Sequence, residues 1–329
     1  MGKGETVLRS FSLLPTNENE KNRLEELYAS KGNLPEMPAK KVMGIGFVGE
    51  EITLNLANLE GEILEKESIR TGLFKNFKGK VKEFNAIVDE VADKRRLRAA
   101  GVALVGVALP ASMAKFNPRG SEVLSDGFRK IFGGDVFIGA EATASGYGEK
   151  RASAFVDADA VLYMHSDIGT GIVVKKETIY ESQESEDSYM RPWAQFGIVC
   201  TARELVDKGV GTDIVNIVKG NLDDITLDVV LQAAGNKDEL AEDLVKRAGF
   251  AMGVRVAYLV NMFDTPKVIV GGGVEKKGVN FIGFVQESAQ RFLSEDAGKD
   301  FEILPGALGK DASATGAALL CRREIYMEV

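Results

Sequence analysis

The sequence predicts an α/β protein made of two related domains. Three observations carry that expectation. The runs Val102–Leu109 and Val268–Val270 are apolar without alternation, as in a strand buried on both faces of a mostly parallel sheet. After the second run, Phe281, Val285, Ala289 and Phe292 follow at helical spacing, so strand, turn and helix come in order. Near residue 160 the opening order of elements begins again. A chain of 329 residues is long enough for two domains with separate cores. The expected division is an N-terminal extension over 1–40, a first domain over 41–155 and a second over 156–329, with a cleft between the two domains.

Residues 1–40 contain one short amphipathic stretch, Leu24, Leu27 and Tyr28, broken up by Gly32, Pro35 and Pro38. A winged helix-turn-helix needs roughly twice that room. Strands are expected at Val42–Val48, at the alternating Ile52, Leu54 and Leu56, and at Glu62–Ser68, forming a meander. A helix follows through Val81, Phe84, Ile87, Val88 and Val91, with Lys94–Arg96 complementing its dipole. Val102–Leu109 is the next strand, Asp126–Phe132 a helix, Val136–Gly139 a strand, and Glu141–Arg151 a helix of small residues.

The second half restarts with a strand at Ala160–Met164, a glycine turn at Gly169, Thr170 and Gly171, a strand at Ile172–Val174 and another at Glu177–Tyr180. Residues 181–187 form an acidic, solvated loop. Helices are expected over 201–208, 212–219, 227–234 and 239–262. The Val268 strand then stops at Gly271, Gly272 and Gly273. One glycine there would serve a turn needing positive φ; three in a row favour a ligand crevice at the carboxyl end of the strand. The pattern is no phosphate loop of the Gly-Lys-Ser/Thr type. A strand near Phe301–Ile303 and a helix from Ala312 close the chain.

The net charge of −8 opposes a general nucleic-acid-binding surface. Two cysteines, Cys200 and Cys321, provide no disulfide framework and suit a reducing compartment. With no apolar run of about 20 residues and no visible secretory signal, the expected location is cytoplasmic, with no membrane partner.

Taken together, the stretches Ala257–Val274 and Ala307–Ala318, and the segment Val136–Glu149, resemble the ROK (repressor, open reading frame, kinase) family of the sugar kinase, heat-shock 70 and actin superfold. The resemblance spans roughly residues 42–320. It implies two ribonuclease H-like (actin-like ATPase) domains, an adenosine-side loop at Gly271–Gly273, and a phosphate-side hairpin that includes Gly46 and Gly49. It also implies a second phosphate turn at Gly169–Gly171, a catalytic base at Glu141, substrate contacts from Asn117 and Glu149, and a homodimer.

The departures from the family pattern are specific. The first hairpin of family kinases reads Asp-x-Gly-Gly-Thr-Lys, whereas here Gly46-Phe47-Val48-Gly49-Glu50-Glu51 lacks the acid and adds negative charge. Ala140-Glu141 replaces the catalytic Asn-Asp pair, and Asp167 stands where a glycine would. Anionic side chains facing a triphosphate repel it unless a metal intervenes. The family's structural zinc needs a histidine and three cysteines in one loop; only Cys200 lies near, so no zinc is expected. His165, the only histidine, is read as structural.

Three readings follow. The first is a catalytically degenerate sensor or regulator that binds a small molecule, a sugar. The second is a working hexose kinase with Glu141 as base and with ATP and Mg2+ as cofactors. The third is an assembly protein that uses the superfold without a ligand.

Overall fold

The structure, a computed structural model, describes residues 9–10, 41–48, 51–58, 62–70, 81–94, 101–109, 118–165, 170–175, 178–181, 195–275 and 279–327. The chain divides into two units, Met1–Gly148 with Lys310–Val329, and Glu149–Gly309. The expected second domain ran on to the end of the chain. Here its last stretch joins the first unit, because the closing helix lies on that unit's central strands.

In the first unit, β1 (Arg9–Ser10), β2 (Lys41–Val48), β3 (Glu51–Asn58) and β4 (Ile63–Arg70) are followed by α1 (Val81–Lys94) and β5 (Val102–Leu109). Then come α2 (Pro118–Phe132), β6 (Asp135–Ala140) and α3 (Glu141–Ala152). The sheet order is β1-β6-β5-β2-β3-β4. β2, β3 and β4 form the expected antiparallel meander, and β5 and β6 extend it in parallel. Two residues of the N-terminal extension, Arg9 and Ser10, add to the outer edge beside Phe137 and Ile138. The amphipathic stretch around Leu24 lies outside the described residues. The helix expected from Asp126 begins earlier, at Pro118, since proline at a first helical position is pre-set in φ and gives up no needed N–H. The core gathers Met43, Ile45, Phe47, Leu54, Val105 and Phe128. Complete burial of one such side chain contributes about 1.5–3 kcal/mol.

The second unit repeats the plan. It contains β7 (Ala160–His165), β8 (Thr170–Lys175), β9 (Thr178–Glu181), α4 (Gln195–Asp207), α5 (Ile214–Ile217), α6 (Leu227–Gly235), α7 (Glu239–Phe263), β10 (Lys267–Gly271), α8 (Phe281–Gln290), α9 (Glu295–Lys299) and β11 (Glu302–Pro305). The helix α10 (Ala312–Met327) belongs to the first unit. The sheet order is β11-β10-β7-β8-β9, again an antiparallel meander extended by parallel strands.

Two expectations are corrected here. Thr170 and Gly171 are not part of a turn; they open β8, paired with His165 and Met164. The helix expected over 212–219 is a single turn, ended by left-handed residues at Lys219 and Gly220. The long α7 is capped by Asp238, whose carboxylate accepts the Ala241 N–H at 2.9 Å, and it ends at Asp264 in the left-handed region.

Candidate functional site

In the first unit the residues of interest lie at the carboxyl ends of the parallel strands, the usual ligand edge of an open α/β sheet. Gly46 pairs in register with Ala108, and Ala108 pairs with Gly139. Gly139, two residues before the start of α3, is therefore about 10 Å, two strand spacings, from Gly46. Glu141 is the first residue of that helix and is buried. Its carboxylate is stabilised by the positive end of the helix dipole.

The glycines of β2 have a packing role. A Cβ on Gly46 would stand 2.1 Å from Ser313 Oγ, one on Gly44 1.9 Å from the Ala314 carbonyl oxygen, and one on Gly106 2.3 Å from the Ala317 carbonyl oxygen. The first turns of α10 thus rest on bare backbone. Ser313 and Thr143, at the starts of α10 and α3, are buried, and their hydroxyl oxygens have no hydrogen-bond partner among the described residues. Such hydroxyls would need a water or a ligand group to satisfy them. Glu51, one of the two acids in the first hairpin, does not stand as an isolated anion. Lys310 Nζ lies 2.9 Å from its carboxylate, and the Ser68 hydroxyl donates to it at 2.7 Å. Gly49, Glu50, Asn117, Asp167 and Gly169 lie outside the described residues.

In the second unit, register brings two of the expected glycine segments to one strand. His165, at the end of β7, pairs with Gly271 on one side and Thr170 on the other. Burial pushes the His165 imidazole down to about 4, so it is neutral near pH 7. Its ring meets Tyr163 edge-on at 6.0 Å. A Cβ on Gly271 would fall 2.6 Å from the Tyr163 phenol oxygen, so this glycine makes room for a tyrosine. Gly272 and Gly273 take φ values of 100° and 124°, the conformations for which glycine was expected here.

Two carboxylates occupy the main-chain N–H groups of this edge. Glu275 accepts the Gly273 N–H at 2.7 Å. Glu149, buried, accepts from Ala307 at 2.7 Å, Leu308 at 3.1 Å and Gly309 at 3.3 Å. The two sets are neighbours: the Gly306 N–H donates to the Val270 carbonyl at 2.7 Å, and a Cβ on Gly306 would meet both Glu149 and the Gly271 backbone. Glu149, expected to face a substrate, holds the β11–α10 loop in this structure. The roles of Tyr163, Ser313 and Glu275 were not evident in the sequence; only the closeness of Glu275 to Gly273 hinted at one.

Among the described residues no three His, Cys, Asp or Glu side chains are grouped to hold a metal, and no helix is long and apolar enough to cross a membrane. Most of the loop where family zinc ligands would lie, residues 182–194, is outside the described residues. Cys321 is buried and Cys200 half-buried.

Comparison with known proteins places this geometry. Residues 192–324 match the ROK family model. The glucokinase of Thermotoga maritima is 22% identical over 317 residues, covering 88% of this chain and 99% of that protein. A crystal structure of a ROK family glucokinase from Streptomyces griseus, in complex with glucose and AMPPNP, superposes with a TM-score of 0.68 at 20% identity, covering 86% of this chain and 99% of the other. A ROK family transcriptional regulator, a homologue of the E. coli MLC protein, gives 0.67 at 15% identity, with coverages of 92% and 84%. The fold is accordingly that of the ROK kinases, with two ribonuclease H-like (actin-like) units. The chain is thus similar to the ROK family model over residues 192–324, and over most of its length it shares the fold of a ROK glucokinase and a ROK regulator.

Proposed function

We propose that this sugar-kinase-like ROK protein has lost phosphoryl transfer and binds a small ligand, a sugar, as a sensor or regulatory subunit. The observation that carries the reading is the Glu275 carboxylate on the Gly273 N–H, at 2.7 Å in the very loop expected to face a nucleotide. A phosphate brought to that N–H would have to displace a carboxylate of the same sign, at a cost that grows as water is excluded. Glu149 takes the neighbouring N–H groups of residues 307–309 in the same way. The described residues therefore do not suit an anionic phosphate at these donors. The sequence departures at Gly46, Glu141 and Asp167 add to the same side. A sugar is neutral and meets no such charge penalty, and the glucose-bound glucokinase of the same fold supports sugar as the ligand class.

The test is a thermal-shift panel of hexoses and adenine nucleotides with and without Mg2+. The expected result is stabilisation by a hexose and none by nucleotides. Glu275→Ala, which bares the Gly273 N–H, is expected to introduce a nucleotide-dependent shift. Hexose phosphorylation at about 1 per second or faster would overturn the proposal.

One observation favours the kinase alternative. Glu141 is buried at the first turn of α3, at the carboxyl end of a parallel strand, where a general base is well placed. In that case Glu141→Gln abolishes turnover that the native chain shows with ATP and Mg2+.

A further inference from the structure

The first unit has a groove between α1 and α2. Its volume is about 260 Å3, and it is lined by Asn85, Ala86, Asp89, Gly127, Lys130 and Ile131. Asn85 and Asp89 stand one helical turn apart on α1, as do Gly127 and Ile131 on α2, so each helix offers one face. Ile131 lies four residues before β6 begins. Glu141 follows the far end of that strand, about 20 Å along it, so the groove is separate from the strand ends described above.

Glycine inside a helix is unfavourable and calls for a reason. A Cβ on Gly127 would fall 2.1 Å from the Asn85 amide nitrogen, so that amide lies on the bare backbone of α2. Asn85 Nδ2 donates to the Val123 carbonyl at 3.1 Å, which settles which way round the amide stands. Its Oδ1 is left as a buried acceptor with no hydrogen-bond partner among the described residues. An acceptor so placed calls for a donor from outside the fold. The soft χ2 torsion of asparagine lets the oxygen turn toward one in the groove.

We infer that this groove binds a small aliphatic amino acid, with the ammonium at Asn85 Oδ1 and Asp89 and the carboxylate at Lys130. The charges select that class. Asp89 belongs to the α1 wall; Lys130 belongs to the α2 wall, is exposed, and forms no ion pair with a described residue. A simple anion is repelled by the first wall and a metal cation by the second. A molecule carrying both charges is repelled by neither. Between the walls, Ala86, Gly127 and Ile131 offer only apolar surface, which suits a short aliphatic chain. At about 30 Å3 for each water-sized group, the space suits roughly nine non-hydrogen atoms, the size of valine or leucine.

The test is isothermal titration of the full chain with L-valine and L-leucine. Saturable binding is expected, with a Kd of about 1 mM or tighter. Isovalerate is valine without its ammonium, and isobutylamine is valine without its carboxylate. Each is expected to bind at least about tenfold more weakly, since each leaves one charged hydrogen bond unmade. Lys130→Glu is expected to lose at least the same factor of about ten. Lys130 is exposed, so thermal unfolding of that variant should match the wild type; Lys130→Arg should retain binding. No saturable heat from either amino acid overturns the inference. So does equal binding of isovalerate or isobutylamine, or binding that survives Lys130→Glu unchanged.

Discussion

Gly44 and Gly46 of β2, and Gly271 to Gly273 at the end of β10, belong to two similar sheets, yet they are glycines for different reasons. In the first unit Gly44 lies beside its register partner Gly106, and together they form a bare floor on which the backbone of α10 rests. In the second unit Gly272 and Gly273 turn the chain through positive φ, and the Gly273 N–H is taken up by the protein's own Glu275 carboxylate. The same residue type thus answers to a packed helix in one place and to backbone conformation in the other. A glycine-rich strand end marks a ligand site only when what approaches it is not already part of the protein.

Substitution at the packed floor should break the comparison hardest. Gly44→Val would drive a side chain into the Ala314 carbonyl, which lies 1.9 Å from the position of its Cβ. With backbone on both sides, little can yield, and a loss of at least about 3 kcal/mol is expected from urea unfolding. A loss below about 1 kcal/mol would mean that α10 does not rest on β2 as described.

Acid separates the units next. His165, the chain's only histidine, is in the second unit, and its folded value of about 4 lies below the ordinary 6.5. The unfolded chain therefore takes up a proton that the folded chain refuses. Stability from this group is complete above about pH 6.5 and is lost as pH falls toward 4, by roughly 3 kcal/mol in total. The difference between wild type and His165→Gln should follow that window. Equal slopes for the two proteins would show that the imidazole accepts its proton without leaving the fold.

The smallest effect is expected at the turn. Gly272→Ala places a side chain at φ 100° and should cost about 1–2 kcal/mol, with little change to the first unit. A cost matching that of Gly44→Val would erase the distinction between packing and conformation.

Much of this was legible in the chain. Buried parallel strands announce themselves as unbroken apolar runs, so β5 and β10 fell where Val102–Leu109 and Val268–Val270 indicated. The alternation at Ile52, Leu54 and Leu56 indicated a strand of the meander, but one half-buried; β3 is in fact buried on both faces, Thr53 and Asn55 included. The single-turn α5 and the early start of α2 were less legible, because end residues and tertiary bonds, such as Thr212 to Asp238 at 2.9 Å, override local propensity.

For the candidate site, the sequence by itself determined which residue types stand at the motif positions: a missing acid at Gly46, a carboxylate at Glu141, glycines at 271–273. These are covalent facts, and their chemistry follows from charge and size. Only the tertiary structure decided what those groups touch. That Glu275 reaches Gly273, that Glu149 holds the loop 158 residues further on, and that Ser313 sits against Gly46 depend on contacts between distant segments. Register and helix packing set such contacts; no local pattern of residues encodes them.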